Sequence, residues 1–149
     1  MKRTIHFVLF GAIFLAALVG LAPAAQARSC SLQGVEGRYG YTTTGTIPTL
    51  GAIAGLGHVT LEANGNLTGA QTVSFNGAIV PETLSGTYTV NADCTGTATV
   101  NVYHGGVLAR TSNINLVWDN NEREFRAIFL TPGTVLTVNG RRMFSEDED

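Results

Sequence analysis

Few side chains in this chain could do chemistry, and they are scattered. After the first 27 residues there are two histidines, His58 and His104, and Glu62 follows His58 by four residues. Four residues along a strand span about 13 Å, too far for His58 and Glu62 to share one metal ion. A metal site needs several converging donors. The sequence therefore predicts no catalytic residue, no metal site and no cofactor.

Glu82 and Arg110 are charged residues within apolar strand patterns. Glu82 has the same parity as Leu84 and Tyr88. If it points inward, burial would raise its pKa and make it a ligand anchor or a general base. Pro81 can shift the alternation, however, and the surface position is the interpretation we favour. Arg110 is expected near a strand end, with its stem on apolar surface and its head in water.

The N-terminus has the order of a secretory signal peptide. Lys2 and Arg3 precede an apolar run from Phe7 to Ala22, and Ala25-Gln26-Ala27 is an A-x-A cleavage signal. A membrane anchor is the alternative, since the run approaches spanning length, but Pro23 and the small residues after it favour cleavage. We predict that residues 1–27 are a signal peptide and that the protein is exported, to the periplasm or the medium.

Cys30 and Cys94 are the only two cysteines. Cysteines in an exported chain normally pair. The sequence therefore predicts a Cys30–Cys94 disulfide, which would attach the N-terminal segment of the mature chain to a turn between two strands.

The charge balance argues against nucleic acid as a partner. Of nine basic residues, Lys2 and Arg3 lie in the signal peptide, and of eleven acidic residues four lie in the tail 146–149, so seven of each remain. A neutral body without basic clusters lacks the electrostatic footprint of a nucleic-acid-binding protein. We expect one domain over residues 28–143 and an acidic, disordered tail over 144–149.

The stretch from Gly86 to Val100 shows the pattern that the mature chain repeats. Tyr88, Val90, Ala98 and Val100 alternate with threonines on either side of a turn that contains Asp93. Period-2 alternation is typical of a half-buried strand. Similar segments predict eight strands and no helix after residue 27: about 37–47, 53–63, 67–75, 78–90, a fifth ending at 103, 107–118, 123–130 and 134–142.

Nearly every predicted connection is short, so strands adjacent in sequence should pair as antiparallel neighbours. Closing such a meander removes both exposed edges. We predict an all-β, eight-stranded antiparallel up-and-down barrel, with a β-sandwich as the alternative. Thr, Asn, Arg and Glu on the outward faces exclude the apolar band of an outer-membrane barrel and predict no stable membrane insertion after signal cleavage.

The first and last strands of the predicted barrel resemble those of calycins, the superfamily of lipocalins and avidins. Gly37-Arg38-Tyr39 is similar to the Gly-x-Trp that opens their first strand. The resemblance implies that Arg141 or Arg142, near the end of the last strand, packs across Tyr39 and closes the barrel floor. A guanidinium over a tyrosine ring would be a cation–π contact. One tryptophan cannot form a biotin cage, so biotin binding is not implied.

The mature chain also resembles a group of small exported bacterial β-proteins of unknown function. The shared marks are the opening Gly37-Arg38-Tyr39-Gly40-Tyr41, the turn Asn64-Gly65-Asn66, and Gly86-Thr87-Tyr88-Thr89-Val90 running through Asp93-Cys94-Thr95-Gly96. This resemblance implies export and a β fold, and no activity.

The barrel interior decides between two functions. Eight strands enclose a space that side chains can fill or that holds one small ligand. Alternation predicts a set of inward-facing residues, and small residues on the same strands raise the expectation of a void. The inward set includes Tyr41, Ile53, Val59, Leu61, Val73, Phe75, Leu84, Tyr88, Val100, Val102, Ile114, Leu116 and Trp118, with Leu108 on the face of Ile114, and the small residues include Gly45, Gly55, Gly57, Gly69, Gly86, Gly96 and Ala98. We expect a small apolar or aromatic ligand, contacted by Tyr41, Tyr88, Trp118 and Glu82. The alternative is a structural or interaction protein with a filled interior. An isomerase or cyclase with a barrel like that of allene oxide cyclase is a third hypothesis, and it lacks an identifiable acid–base pair. The sequence leaves the oligomeric state undefined.

Overall fold

The computed structural model describes residues 29–143. The predicted signal peptide and acidic tail lie outside the described residues. The elements are one short helix, α1 (Leu32–Val35), followed by eight strands. The strands are β1 (Gly37–Ile47), β2 (Gly51–Leu61), β3 (Asn66–Phe75), β4 (Ala78–Tyr88), β5 (Thr95–His104), β6 (Val107–Asp119), β7 (Glu124–Phe129) and β8 (Val135–Arg142).

The strands form a closed barrel in which each strand pairs with its neighbours in sequence. All pairs are antiparallel, and β1 also pairs with β8, from Tyr39 opposite Arg142 to Thr46 opposite Val135. The predicted eight-stranded up-and-down barrel is therefore confirmed, and the sandwich alternative is not observed. Closure removes the unpaired edges that an open meander would expose.

Turn residues set the register at two connections. Asn76 and Gly77 both have positive φ angles, 49° and 97°, as a two-residue hairpin turn of the primed type requires. Between β4 and β5, the Asp93 carboxylate accepts a hydrogen bond from the backbone nitrogen of Thr95 at 3.0 Å. This local bond holds the reversal that the sequence pattern predicts here.

The prediction of no helix after residue 27 is wrong for one turn. Ser31 caps α1, and its hydroxyl accepts a hydrogen bond from the nitrogen of Gly34 at 3.0 Å. A four-residue helix has no room for the 3.6-residue periodicity that reveals longer helices. α1 buries Val35 completely and covers one end of the barrel with it.

Inward-facing side chains form two clusters along the barrel axis. The larger contains Tyr39, Tyr88, Trp118 and Phe125 with aliphatic neighbours and is covered by α1. The smaller contains Ile53, Val73 and Leu136 and lies toward the other end. Every residue predicted to face inward is buried or half-buried: Tyr41, Ile53, Val59, Leu61, Val73, Phe75, Leu84, Tyr88, Val100, Val102, Ile114, Leu116 and Trp118.

The two ends of the barrel differ in composition. We call the end formed by the connections 48–50, 76–77, 105–106 and 130–134 the apolar end. The end formed by α1 and the connections 62–65, 89–94 and 120–123 is called the charged end. In the part of the chain that the structure describes, the four connections of the apolar end contain no Asp, Glu, Lys or Arg. The charged end carries Glu36, Glu62, Asp93, Glu122 and Arg123.

A bulge changes the parity of β6 near the apolar end. The pairing of β5 with β6 shifts between Val102 and Tyr103, so that Val102 lies opposite Arg110 but Tyr103 lies opposite Leu108. An extra residue in one strand reverses the face of everything beyond it. Leu108 is consequently exposed, whereas Arg110 keeps the inward parity of Ile114.

Candidate functional site

An internal cavity of about 90 Å³ lies inside the barrel between the floor and the middle of the strands. Leu61, Leu67, Tyr88, Trp118 and Phe125 line it on the side of the charged end. On the side of the apolar end its wall contains Thr43, Gln71, Arg110 and Ser112. The cavity is thus apolar over most of its wall and polar at one end.

Aromatic side chains that pack against glycines on other strands keep this cavity small. A β-carbon at Gly96 would lie 2.7 Å from Cζ3 of Trp118, and one at Gly57 would lie 2.9 Å from the hydroxyl oxygen of Tyr41. A β-carbon at Gly140 would overlap the ring of Phe125. At Gly96 and Gly140, rings from other strands therefore occupy the space that a side chain would take.

Glu82 points into the barrel, and the surface interpretation of this residue is wrong. Its side chain is only 2% exposed. Oε1 and Oε2 accept hydrogen bonds from Nη1 and Nη2 of Arg110 at 2.5 and 2.8 Å. Pro81 stays in register opposite Thr72, so it does not shift the alternation. A bidentate arginine supplies the partner without which a buried carboxylate would be costly.

The prediction that the guanidinium of Arg110 lies in water is wrong, because the same hydrogen bonds hold it against Glu82. The guanidinium ion-pairs with Glu82, and its carbon lies 5.7 Å from the centre of the Phe75 ring. The side chain is 36% exposed, so one side of it still meets solvent. Arg110 thereby separates the cavity from the apolar end.

The pair fixes the charge of Glu82. Burial raises the pKa of the Glu82 carboxyl, but hydrogen bonds from Arg110 and Gln71 and the nearby positive charges outweigh burial and lower the pKa. The carboxylate is therefore ionised at neutral pH and its lone pairs are engaged. A general base works best with a pKa near the working pH, so this geometry gives no support to the isomerase or cyclase hypothesis.

A hydrogen-bonded chain extends from the ion pair across the barrel. Gln71 donates from Nε2 to Oε2 of Glu82 at 2.7 Å, and its Oε1 accepts from the Tyr41 hydroxyl at 2.9 Å. Burial and the charge of Glu82 raise the pKa of Tyr41. Gln71 is not among the residues predicted for the interior, although it has the parity of Leu67 and Val73 on β3 and could have been found by it.

Tyr88 and Trp118 lie at the cavity floor, 6.4 Å apart between ring centres. The Tyr88 hydroxyl donates to the carbonyl oxygen of Glu62 at 2.7 Å, and burial raises the pKa of Tyr88 to about 12. Within the described residues, Nε1 of Trp118 is buried without a hydrogen-bond partner. The structure thus brings Tyr41, Tyr88 and Trp118 to one cavity, while Glu82 lies behind Arg110 and Gln71 at its polar end.

Tyr39 and Arg142 meet beneath this floor. Tyr39 is fully buried, and its hydroxyl lies within hydrogen-bond distance of the carbonyl oxygens of Val35 and Glu122, at 2.9 and 2.7 Å. The guanidinium carbon of Arg142 lies 5.4 Å from the Tyr39 ring centre, and its Nη2 donates to the hydroxyl at 3.1 Å. Arg141 instead points outward, 3.8 Å from Oε1 of Glu124.

The Cys30–Cys94 disulfide is present, with its Cα atoms 4.9 Å apart. It joins the segment before α1 to the turn between β4 and β5, as predicted. Next to it, the nitrogen of Cys30 donates to the carbonyl oxygen of Ala92 at 3.3 Å. A disulfide is consistent with an oxidising, exported location.

The remaining candidates do not form a second site. His104 is exposed, with Nδ1 3.2 Å from the carbonyl oxygen of Pro81, and His58 lies on the outer wall. Among residues 29–143, no group of three or more His, Cys, Asp or Glu residues could hold a metal ion. In the same residues, no helix is both long and apolar enough to cross a membrane.

A wider depression of about 790 Å³ lies on the outer wall, lined by residues including Leu56, His58, Pro81 and Tyr103. It is open to solvent, and it shares only Gln71 with the wall of the internal cavity. The side chain of Gln71 is engaged inside the barrel. We therefore place the candidate site in the internal cavity.

Comparison with known proteins found no match: no family model fits the chain, and no curated protein and no solved structure is similar to it. The structure alone therefore defines the class of protein. The chain forms a small, disulfide-linked, eight-stranded antiparallel β-barrel with an apolar internal cavity.

Proposed function

We propose that the barrel binds one small, mostly apolar compound in its internal cavity. The observation that supports this proposal is the cavity of about 90 Å³, with Tyr88, Trp118 and Phe125 in its wall. Small-molecule sites combine an apolar wall with a few placed polar groups. Here the polar groups are Gln71, Arg110 and Ser112, all at one end.

The size of the cavity limits the ligand. An apolar cavity of about 150 Å³ takes up benzene, and drug-sized ligands need about 300 Å³ or more. A cavity of 90 Å³ is smaller than both, so a ligand of the size of benzene already requires lining side chains to move, and a fatty acid or retinoid is too large. Arg110 lines the cavity on the side of the apolar end and its side chain is 36% exposed, so we propose that the ligand enters past the Arg110–Glu82 pair.

Trp118 is the single tryptophan and provides the assay. We expect saturable quenching or a shift of its emission with small aromatic probes such as benzene and phenol, and a rise in Tm at saturating probe. Ala98→Val should weaken binding about tenfold, because Ala98 lines the cavity and the added methyl groups occupy it. Thr99→Val, on the outward face of the same strand, is the matched control.

The specific observation that favours the alternative function is the packing of rings against glycines. The rings of Trp118 and Phe125 pack against Gly96 and Gly140, and the Tyr41 hydroxyl packs against Gly57, so little space is left for a ligand. If no probe changes the Trp118 emission or the Tm, the filled interior makes this a structural or interaction protein, and the binding proposal is abandoned.

A further inference from the structure

The apolar end carries a ring of exposed aliphatic side chains that the internal cavity does not explain. We call this ring the apolar rim. At each of the four connections of this end, the connection itself or the strand beside it contributes a side chain to the rim. Its members are Leu50, Ile79, Val107, Leu108, Leu130 and Val135.

The rim is more exposed than residues of this kind normally are in a water-soluble protein. Val107 is 71% exposed and Ile79 is 65% exposed. Single exposed aliphatic residues are ordinary, but several collected at one end of a molecule indicate an interaction site. The fold gives no internal reason for them, since these side chains lie outside both core clusters.

The charges of the molecule are also distributed unevenly between the two ends of the barrel. Among the described residues, the connections of the apolar end contain no formal charge, and the imidazole of His104 is the one titratable side chain beside them. The acidic residues Glu36, Glu62, Asp93 and Glu122 lie at the opposite end. Arg110 also meets solvent, but its guanidinium is paired with Glu82. A surface that meets the apolar end therefore meets no unpaired charge that must be removed from water.

We propose that the apolar rim docks on a lipid surface, with its aliphatic side chains at the boundary between headgroups and hydrocarbon. Protein interfaces rely on Trp, Tyr and Arg in central pockets, whereas Leu and Val are under-represented among the residues that dominate binding. The rim offers only aliphatic side chains, set on the connections and on the strand ends beside them. Hydrocarbon accepts such side chains without requiring a complementary shape.

The backbone limits the depth of this docking. Turn residues leave N–H and C=O groups that need water or headgroups, so the turns themselves cannot enter the hydrocarbon. Thr49, Thr131 and Thr134 beside the rim can face the headgroups. Ser29 and Met143 both lie at the charged end, as the contacts of Cys30 with Ala92 and of Met143 with Arg38 show. Neither flanking segment therefore begins beside the rim.

Flotation of the full chain with neutral phosphatidylcholine vesicles tests the proposal. We expect binding that is insensitive to salt and unchanged when anionic phosphatidylglycerol is added. The variant Ile79→Asp/Val107→Asp should bind at least about tenfold more weakly, because two aliphatic contacts with hydrocarbon are lost. Leu56→Asp is the matched control, since Leu56 is equally exposed, at 67%, on the barrel wall. It should bind like the unchanged protein.

A tryptophan placed in the rim reports contact between the rim and lipid. It does so also in a chain that binds vesicles through residues 7–22. After the Trp118 emission of the unchanged protein is subtracted, the emission of Val107→Trp should shift to the blue on adding vesicles, and that of Leu56→Trp should not. The proposal is overturned by equal shifts at both positions, by no shift at Val107, or by binding that requires anionic lipid and is released by salt. End-to-end dimers that form without vesicles and are lost in Ile79→Asp/Val107→Asp would assign the rim to a second copy of the chain instead.

Discussion

The charged end and the apolar end are formed by the same eight strands, but different interactions hold them. At the charged end a disulfide, a helix turn and the Tyr39–Arg142 contact tie the segment before β1 and the end of β8 to the barrel floor. At the apolar end the strands are joined by four connections without charges or cross-links among the described residues. This difference indicates that the charged end carries stability and that the apolar end is free for contact with other molecules.

Among the variants that test this difference between the ends, removal of the disulfide should lower the unfolding free energy most. Cys30→Ser/Cys94→Ser removes a cross-link that closes a loop with a sequence separation of 64. On the chain-entropy model this is worth about 4 kcal/mol of unfolding free energy. Urea unfolding followed by Trp118 fluorescence measures it. A loss below about 1 kcal/mol would show that the disulfide is not what holds the charged end.

Tyr39→Ala should cost about 3 kcal/mol or more of unfolding free energy, since it empties a fully buried position and removes the hydroxyl that binds Arg142. Tyr103→Ala is the matched control, because Tyr103 is a half-buried tyrosine near the apolar end. We expect about 1 kcal/mol or less there. Equal losses in the two variants, measured as shifts in the urea midpoint, would contradict the difference between the ends.

The boundary between the two ends is tested through Glu82 and Arg110. Arg110→Met leaves a buried carboxylate without its partner, which costs about 3–5 kcal/mol in a fully buried pair. Because Arg110 is 36% exposed, we expect about 2 kcal/mol, with solvent screening the pair in part. The double variant Glu82→Leu/Arg110→Met should regain most of this stability, since apolar replacement of a whole buried pair is often neutral. A double variant as unstable as the single one would argue against this account.

The same pair predicts a pH dependence. In the unchanged protein the pKa of Glu82 is lowered, so its stabilisation is present above the pKa of the unfolded state and is lost as the pH falls through the folded pKa. In Arg110→Met the hydrogen bond from Gln71 remains, but the contributions of Arg110 are lost, so burial is opposed less and the pKa of Glu82 should be higher than in the unchanged protein. The stability difference between the two proteins should therefore be largest near neutral pH and shrink as the pH falls toward the pKa of an unfolded glutamate, about 4.3. Urea midpoints across this range measure it.

The smallest effect is expected at the rim. Val107→Ser should change the unfolding free energy by less than about 0.5 kcal/mol, because a side chain that is 71% exposed has little contact to lose. Thermal unfolding measures it. A large loss would mean that the rim contributes to folding, which would remove the reason for assigning it to an external surface.

The alternation of apolar and polar residues, together with the short connections, is enough to predict eight antiparallel strands and to favour the barrel over the sandwich. Side-chain direction in a strand follows directly from sequence parity, and Asn76-Gly77 encodes its own turn. Short connections leave antiparallel pairing of neighbours as the simple solution. The eight strands, the inward set and the Cys30–Cys94 pairing are local or compositional properties, and the sequence alone determined them.

Contacts between distant strands were decided only by the tertiary structure. Glu82 is predicted at the surface because Pro81 can shift the alternation, and no local signal shows that Arg110, 28 residues away in sequence, reaches it from β6. The bulge beside Tyr103 turned Leu108 outward, although its parity from Ile114 predicted the inside. The volume of the cavity depends on which rings meet which glycines across the barrel, as Trp118 meets Gly96. Parity tells which face a side chain takes, but closure of the sheet decides what lies opposite it.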